Sequence, residues 1–248
     1  MKAKSLLIRA LSGIVLVLLM VGLTLAWYDP ATGVPGWTFY FLWSAVGLLS
    51  VWEYCRLLAK NRVEGSKAGW YAVGILYIAQ AIVLIQFMDP MMVVTLMTVV
   101  WMSDTGAYLV GSAVGRHKMA PVVSPKKTWE GFAGGMLFAV GTALVWYALY
   151  WNPDISPVYG DQRAIFGVAG ESAAGDIWLK LKWAGFGIVV GLAATAGDLI
   201  ESKFKRTIGV KDSGSIIPGH GGMLDRFDAL LSAVPVAWIY ILLAGLLG

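Results

Sequence analysis

The chain has 248 residues, of which 58% are hydrophobic and only 14% charged. A water-soluble domain carries about 45–50% apolar and about 25% charged residues, so the composition excludes an ordinary soluble core and points to a membrane protein. The formal net charge of +4 invites nucleic acid as a partner, but the placement of the basic residues accounts for it differently.

A spanning helix needs roughly 20 mostly apolar residues. In chain order the stretches 5–27, 37–58, 68–87, 91–111, 131–151, 182–200 and 229–247 qualify. They predict an all-α, polytopic transmembrane helical bundle of about seven spanning helices, forming one integral membrane domain over 1–248. The first stretch is too long for the apolar region of a signal peptide and is read as a retained helix. Residues 1–90 are expected to be scaffold and 91–248 to hold the catalytic region. The segment 152–181, with Pro153 and Pro157, reads as an external loop. Cys55 is the one cysteine, so no intrachain disulfide forms.

All but Arg163, Lys180 and Lys182 of the 19 Lys and Arg fall in the amino-terminal tail and in every second connection. Seven spans place those basic loops on one side, as the positive-inside rule requires. The amino terminus is then cytoplasmic and the carboxyl terminus external. This explains the basic balance with no nucleic acid and the bilayer as partner.

Polar exceptions gather in two cytoplasmic patches. Asp104 lies well inside an apolar stretch, where a carboxylate costs about 2.5–3.5 kcal/mol to insert. It is expected to face a polar cavity or a partner. Gly111 and Gly115 have the small-residue spacing that permits close helix contact. The following loop, 115–131, carries Arg116, Lys118, Lys126 and Lys127 and is stiffened by Pro121 and Pro125. Its cations suit phosphate or an anionic headgroup, as they suit any cytoplasmic loop.

The second patch runs from Gly197 to Asp228. If the helix continues past Ile200, Asp198, Ser202 and Lys205 share one face, with Glu201 beside them. Pro218, Gly219, His220, Gly221 and Gly222 cannot form ordinary helix. Such glycines let backbone N–H groups reach phosphate oxygens, and His220 in that turn is a ligand-binding candidate. Asp225 and Asp228 follow at helical spacing, with Arg226 between them. Bare carboxylates repel phosphates, and a divalent cation reverses this: Asp198 and Asp225 can hold Mg2+, which then binds phosphate oxygens. Lys205, Arg206, Lys211 and Arg226 neutralise the remaining charge. The mixture suits phosphoryl or nucleotidyl transfer, where positioning and electrostatics dominate.

These residues resemble a known family, the phosphatidate cytidylyltransferases or CDP-diacylglycerol synthases. Ser202, Lys205 and Arg206, then Lys211 and Asp212, then Pro218, His220, Gly221, Gly222, Asp225, Arg226 and Asp228 fit the family signature throughout. Ser103 to Tyr108 and Ser124 to Trp129 are similar to its second block. The likeness covers about residues 101–135 and 191–236. It implies a helical bundle in the cell inner membrane with a cytoplasm-facing polar cavity. It also implies Mg2+ on Asp198 and Asp225, and allows a monovalent cation such as K+ beside it. CTP and phosphatidic acid would be the substrates, and CDP-diacylglycerol and pyrophosphate the products. Asp198, Asp225 and Lys205 are the expected catalytic groups. Ser202, Arg206, Lys211, His220, Arg226, Lys126, Lys127, Asp104 and Asp228 are the expected substrate contacts. Many bacterial members carry more helices in the amino-terminal half, where this chain departs from them and where a homodimer interface is left open. A CTP-dependent polyprenol or lipid kinase is the rival enzyme and would release CDP instead. An ion or solute transporter is the non-enzymatic rival, though no paired repeat halves are visible.

Overall fold

The computed structural model describes residues 2–29, 32–150, 177–214, 216 and 221–246. Helices α1 (Lys2–Leu25), α2 (Trp37–Lys60), α3 (Lys67–Gln86) and α4 (Pro90–Val114) come first. A two-stranded hairpin, β1 (Lys118–Ala120) and β2 (Ser124–Thr128), follows. Then come α5 (Trp129–Tyr150), α6 (Ile177–Thr207) and α7 (Leu224–Leu246).

A helix stands at each of the seven predicted stretches. Among the described residues five of them, α3 to α7, are long and apolar enough to cross a membrane, so the coarse reading of a multi-pass helical membrane protein holds. Of α1, the side chains are described over Leu11–Leu25, and that part is apolar. In α2 the apolar run is diluted by Trp, Tyr, Ser and Glu53. Leu18, Phe41, Leu48, Leu76 and Leu137 point outward and are exposed. Soluble surfaces avoid such continuous apolar cover, whereas lipid tails accept it.

Helix α6 begins earlier than predicted and ends later. Its amino-terminal lysines are tolerated because long stems let the charge reach the interface, and the Lys180 ammonium lies 6.0 Å over the Tyr147 ring. At 31 residues and about 1.5 Å per residue, α6 is about 46 Å long. The hydrocarbon core is about 30 Å thick, so the last ten or so residues of α6 stand beyond it if its start lies at the opposite surface.

Local chemistry sets several starts. Ser66 accepts the Gly69 N–H at 3.3 Å ahead of α3. Asp89 accepts the N–H groups of Met91 and Met92 at 2.8 and 3.3 Å, with Pro90 in the first turn, the usual capping arrangement. The other Asp89 oxygen accepts the Tyr28 hydroxyl at 2.8 Å and ties the α1–α2 connection to α4.

Packing runs α2, α3, α7, α6, α5, α4, with α1 leaning on both α2 and α4. Phe39, Trp43, Ile78, Ile85, Phe186 and Val234 are buried within it, and Trp43 meets Phe227 edge to face at 6.1 Å. Association in lipid relies on packing and interhelical hydrogen bonds, since the surroundings are as apolar as the side chains. Thr95 and Tyr150 hydroxyls meet at 2.6 Å, the Trp146 indole donates to Thr98 at 2.7 Å, and Trp238 donates to the Leu84 carbonyl at 2.9 Å. Successive helices alternate in direction. The carboxyl ends of α2, α4 and α6 and the amino ends of α3, α5 and α7 therefore share one end of the bundle, with the hairpin beside them.

Candidate active site

Residues 115–131 read in sequence as a proline-stiffened loop, but they fold into a hairpin with Lys118 opposite Thr128 and Ala120 opposite Ser124. A prolyl nitrogen has nothing to donate, and Pro125 is tolerated because a two-stranded ribbon is all edge. The base is pinned: the Trp129 N–H donates to the His117 carbonyl at 2.9 Å, and Glu130 accepts the N–H groups of Arg116 and His117 at 3.1 and 3.2 Å. The tip, residues 121–123, stands out, with Val122 exposed.

That hairpin delivers Lys127 to α6. The Lys127 ammonium lies 2.5 Å from Asp198 Oδ2. Ser202, one turn on, donates to Asp198 Oδ1 at 3.2 Å, because α6 stays helical past Ile200. Lys126 faces away and is exposed. Gly197 precedes Asp198 at a tight crossing: a Cβ there would come within 2.5 Å of Ser232 Oγ and 2.7 Å of the Asp228 carbonyl. Only glycine lets α6 and α7 approach so closely.

A second ion-pair group sits one turn further along α6. Lys205 lies 2.7 Å from Asp225 Oδ1 and 3.3 Å from Glu201 Oε1, and all three side chains are nearly buried. Glu201 makes this contact and also lies against the Asp228 carboxyl. Asp225 is held by much more. It accepts the Ser213 N–H at 2.8 Å and the Gly222 N–H at 2.9 Å, and its own N–H donates to Ser213 Oγ at 3.3 Å.

Two glycines of this segment, Gly221 and Gly222, fall within the described residues. The Gly222 N–H is aimed at Asp225, and a Cβ on Gly222 would lie 2.4 Å from a Glu53 oxygen. Gly221 has φ +88°, a left-handed conformation that glycine adopts freely, and it turns the chain into α7. The Gly222 N–H is thus already engaged, and the space beside it is taken by Glu53 of α2, which sequence reasoning missed. It is buried and accepts Ser213 Oγ at 3.1 Å and the Leu224 N–H at 2.9 Å. A signal existed: a carboxylate within a mostly apolar helix, the same feature that singled out Asp104.

Asp104, Asp225, Arg226 and Asp228 line the polar part of a cleft of about 230 Å3 between α1, α4 and α7. Leu16, Val17, Met20, Met97, Val100 and Leu230 line the rest. Asp104 is exposed to this space and within Coulombic reach of Asp198, Asp228, Lys127 and Arg226. Asp228 Oδ1 accepts the Ala229 N–H at 2.7 Å. Arg226 is exposed, as is Arg206, which donates to the Val210 carbonyl at 3.5 Å, and Lys211 lies exposed beyond. His220 lies outside the described residues. Asp198 and Asp225 thus stand on adjoining helices, each against a different lysine.

The acids form no ready-made metal cage: among the described residues no group of three or more His, Cys, Asp or Glu is placed to hold an ion. Mg2+ needs none, because it commonly takes one or two carboxylates and completes its shell with water and substrate phosphates. The donors here are hard oxygens, and Lys127 and Lys205 now supply the positive charge they demand. The oxygens of Asp198 and Asp225 are of the kind a divalent cation takes, each now facing a lysine instead.

Comparison with known proteins bears on the same stretch. The chain is 41% identical over 138 residues to a phosphatidate cytidylyltransferase of Staphylococcus aureus (strain COL). It is 43% identical over the same length to one of Staphylococcus epidermidis (strain ATCC 12228 / FDA PCI 1200). Each alignment covers 56% of this chain and 44% of the relative, so the match spans less than half of those proteins. A sequence profile of the cytidylyltransferase family matches residues 67–244, which takes in the hairpin, Asp104, Asp198, Lys205 and Asp225. With most of its length so matched, the chain belongs to the cytidylyltransferase family.

Proposed function

We propose that this protein is a phosphatidate cytidylyltransferase that converts CTP and phosphatidate to CDP-diacylglycerol and pyrophosphate. The observation that carries the reading is the cleft, where charged Asp104, Asp225, Arg226 and Asp228 continue into an apolar wall. A substrate with a phosphate on an apolar tail matches both parts. The names of the staphylococcal relatives support the same reaction. The distribution of Lys and Arg supports seven crossings of the cell inner membrane, with the site on the cytoplasmic side.

CTP reaches the polar end from the cytoplasm, and the lipid enters from the adjoining leaflet. An anionic oxygen of the lipid phosphate attacks the α-phosphorus of CTP in line, its bond to pyrophosphate breaks, and pyrophosphate leaves. The nucleophile is already ionised, so no general base and no covalent enzyme intermediate are required. Lys205 is held ready by Asp225 and Glu201 and stabilises charge on the transferring phosphate. Arg226, at the cleft, holds the lipid phosphate. Lys126, Lys127, Arg206, Lys211 and His220 serve the triphosphate. Ser202 orients Asp198, and Asp104 and Asp228 keep Lys127 and Arg226 turned inward. Asp198 and Asp225 would hold Mg2+, which would supply charge neutralisation for the phosphate oxygens.

Purified protein with labelled CTP and phosphatidate, with and without Mg2+, tests this. Magnesium-dependent CDP-lipid with equimolar pyrophosphate is the expected result. Release of CDP with a phosphorylated lipid would establish a kinase instead, and no conversion of either substrate would overturn both readings.

A further inference from the structure

We infer that Glu53 of α2 is a positioning residue that holds Ser213 and Leu224, and through them Asp225, in the geometry the reaction uses. Glu53 lies ahead of the stretch matched by the family profile, 67–244, and no feature of the signature points to it.

The contacts are specific. One Glu53 oxygen, Oε2, accepts both the Ser213 hydroxyl at 3.1 Å and the Leu224 N–H at 2.9 Å. Leu224 opens α7, and the first N–H groups of a helix have no partner within it. A capping residue ordinarily comes from the adjoining chain; here the cap arrives from α2, 171 residues away in sequence. A negative charge at that end also suits the helix dipole. Ser213 then passes the restraint on. Its hydroxyl receives the Asp225 N–H at 3.3 Å while its own N–H donates to Asp225 Oδ2 at 2.8 Å. Glu53, Ser213 and Asp225 form one hydrogen-bonded chain.

Gly214 and Gly222 lie closely around this carboxylate. A Cβ on Gly214 would come within 2.3 Å of Glu53 Oε1, and one on Gly222 within 2.4 Å of Oε2. Both positions need glycine for Glu53 to enter. A role in packing alone would not call for a carboxylate: a buried charge is tolerated when its hydrogen bonds fix something that matters. Placement to within a fraction of an ångström matters at a reacting phosphate. The helices 1–90 are then part of the site and not scaffold alone.

The turnover arm of the test rests on the cytidylyltransfer reading; a second arm does not. Three proteins are compared in detergent: wild type, Glu53→Ala and Glu53→Gln. Glutamine keeps an acceptor for Ser213 and Leu224, so kcat should stay within about fivefold, whereas alanine should lower kcat about 10–100-fold with KM for CTP moved less than about threefold. Hydrogen exchange provides the second arm. Glu53→Ala should speed exchange in peptides covering 208–214 and 221–230 and leave α4 and α5 protected, and Glu53→Gln should restore protection. Wild-type kcat in Glu53→Ala, a change in KM alone, or faster exchange spread over the whole bundle would each overturn the inference. If wild type makes no CDP-lipid, the reaction assignment fails, and the exchange arm still decides whether Glu53 holds Ser213 and Leu224.

Discussion

Replacing Lys205 with methionine keeps the length of its stem and removes its charge. The ammonium stands 2.7 Å from Asp225 and 3.3 Å from Glu201, with side-chain exposures of 12%, 7% and 7%. Removing one partner of a buried ion pair costs about 3–5 kcal/mol, because the remaining charge is left uncompensated. Asp225 retains the Ser213 and Gly222 N–H groups, whereas Glu201 is left beside the Asp228 carboxyl with no cation against it, so most of the loss falls on Glu201 and Asp228. For a chain of 150–250 residues each kcal/mol moves Tm by about 2–4 °C, so even the lower bound predicts a drop of about 6–12 °C. Adding Glu201→Gln removes the stranded charge and should recover part of that drop, a coupling of at least about 1 kcal/mol. The assay is thermal unfolding in one detergent at one scan rate, followed by intrinsic tryptophan fluorescence. A Lys205→Met protein melting within about 2 °C of wild type, or strict additivity with Glu201→Gln, would refute the claim that Lys205 neutralises this pair.

Asp225→Asn and Asp198→Asn should each lower CDP-lipid formation at least about 100-fold while the proteins elute as wild type does on size exclusion; near-normal turnover in either removes that residue from the phosphate site. Gly197→Val places a side chain where Ser232 and the Asp228 carbonyl already stand and should cost about 1–3 kcal/mol, visible as a lower Tm together with lost activity. Tyr150→Phe deletes the hydroxyl contact with Thr95 and should cost about 0.6 kcal/mol, the usual scale for such bonds between membrane helices, with turnover unchanged. Lys127→Met frees Asp198 from its ion pair and should lower turnover more than Lys126→Met, since Lys126 points away; equal effects would show that the hairpin acts only through its total charge.

Much of the fold was legible because lipid imposes a simple rule. Every apolar run near the spanning length became a helix, and the basic connections distinguished the two ends. The face shared by Asp198, Ser202 and Lys205 was legible for a similar reason: it needs only helical periodicity, and α6 remains a helix through Thr207. What sequence concealed is non-local. The pairing of Lys118 with Thr128 depends on a turn whose two prolines suggested stiffness without β-structure. The assignment of Lys127 to Asp198, and not to the nearer Asp104, depends on how α5 and α6 pack. Glu53 sits 160 residues before Ser213, and no spacing rule reaches that far. The glycines of the signature looked like room for a ligand, and one of them, Gly222, is room for Glu53.

The hairpin separates a fixed base from a free tip. Its base is fastened by Glu130 and by the Lys127–Asp198 pair, whereas Val122 at the turn is 89% exposed. Exposed tips tolerate alteration, so residues 121–123 offer an attachment point for a spectroscopic probe close to the acids but not among them. Because Cys55 is the chain's one thiol, a Cys55→Ala, Val122→Cys protein would carry a single label there. Its mobility would report directly on whether the strap bearing Lys127 lets go of α6 during a catalytic cycle.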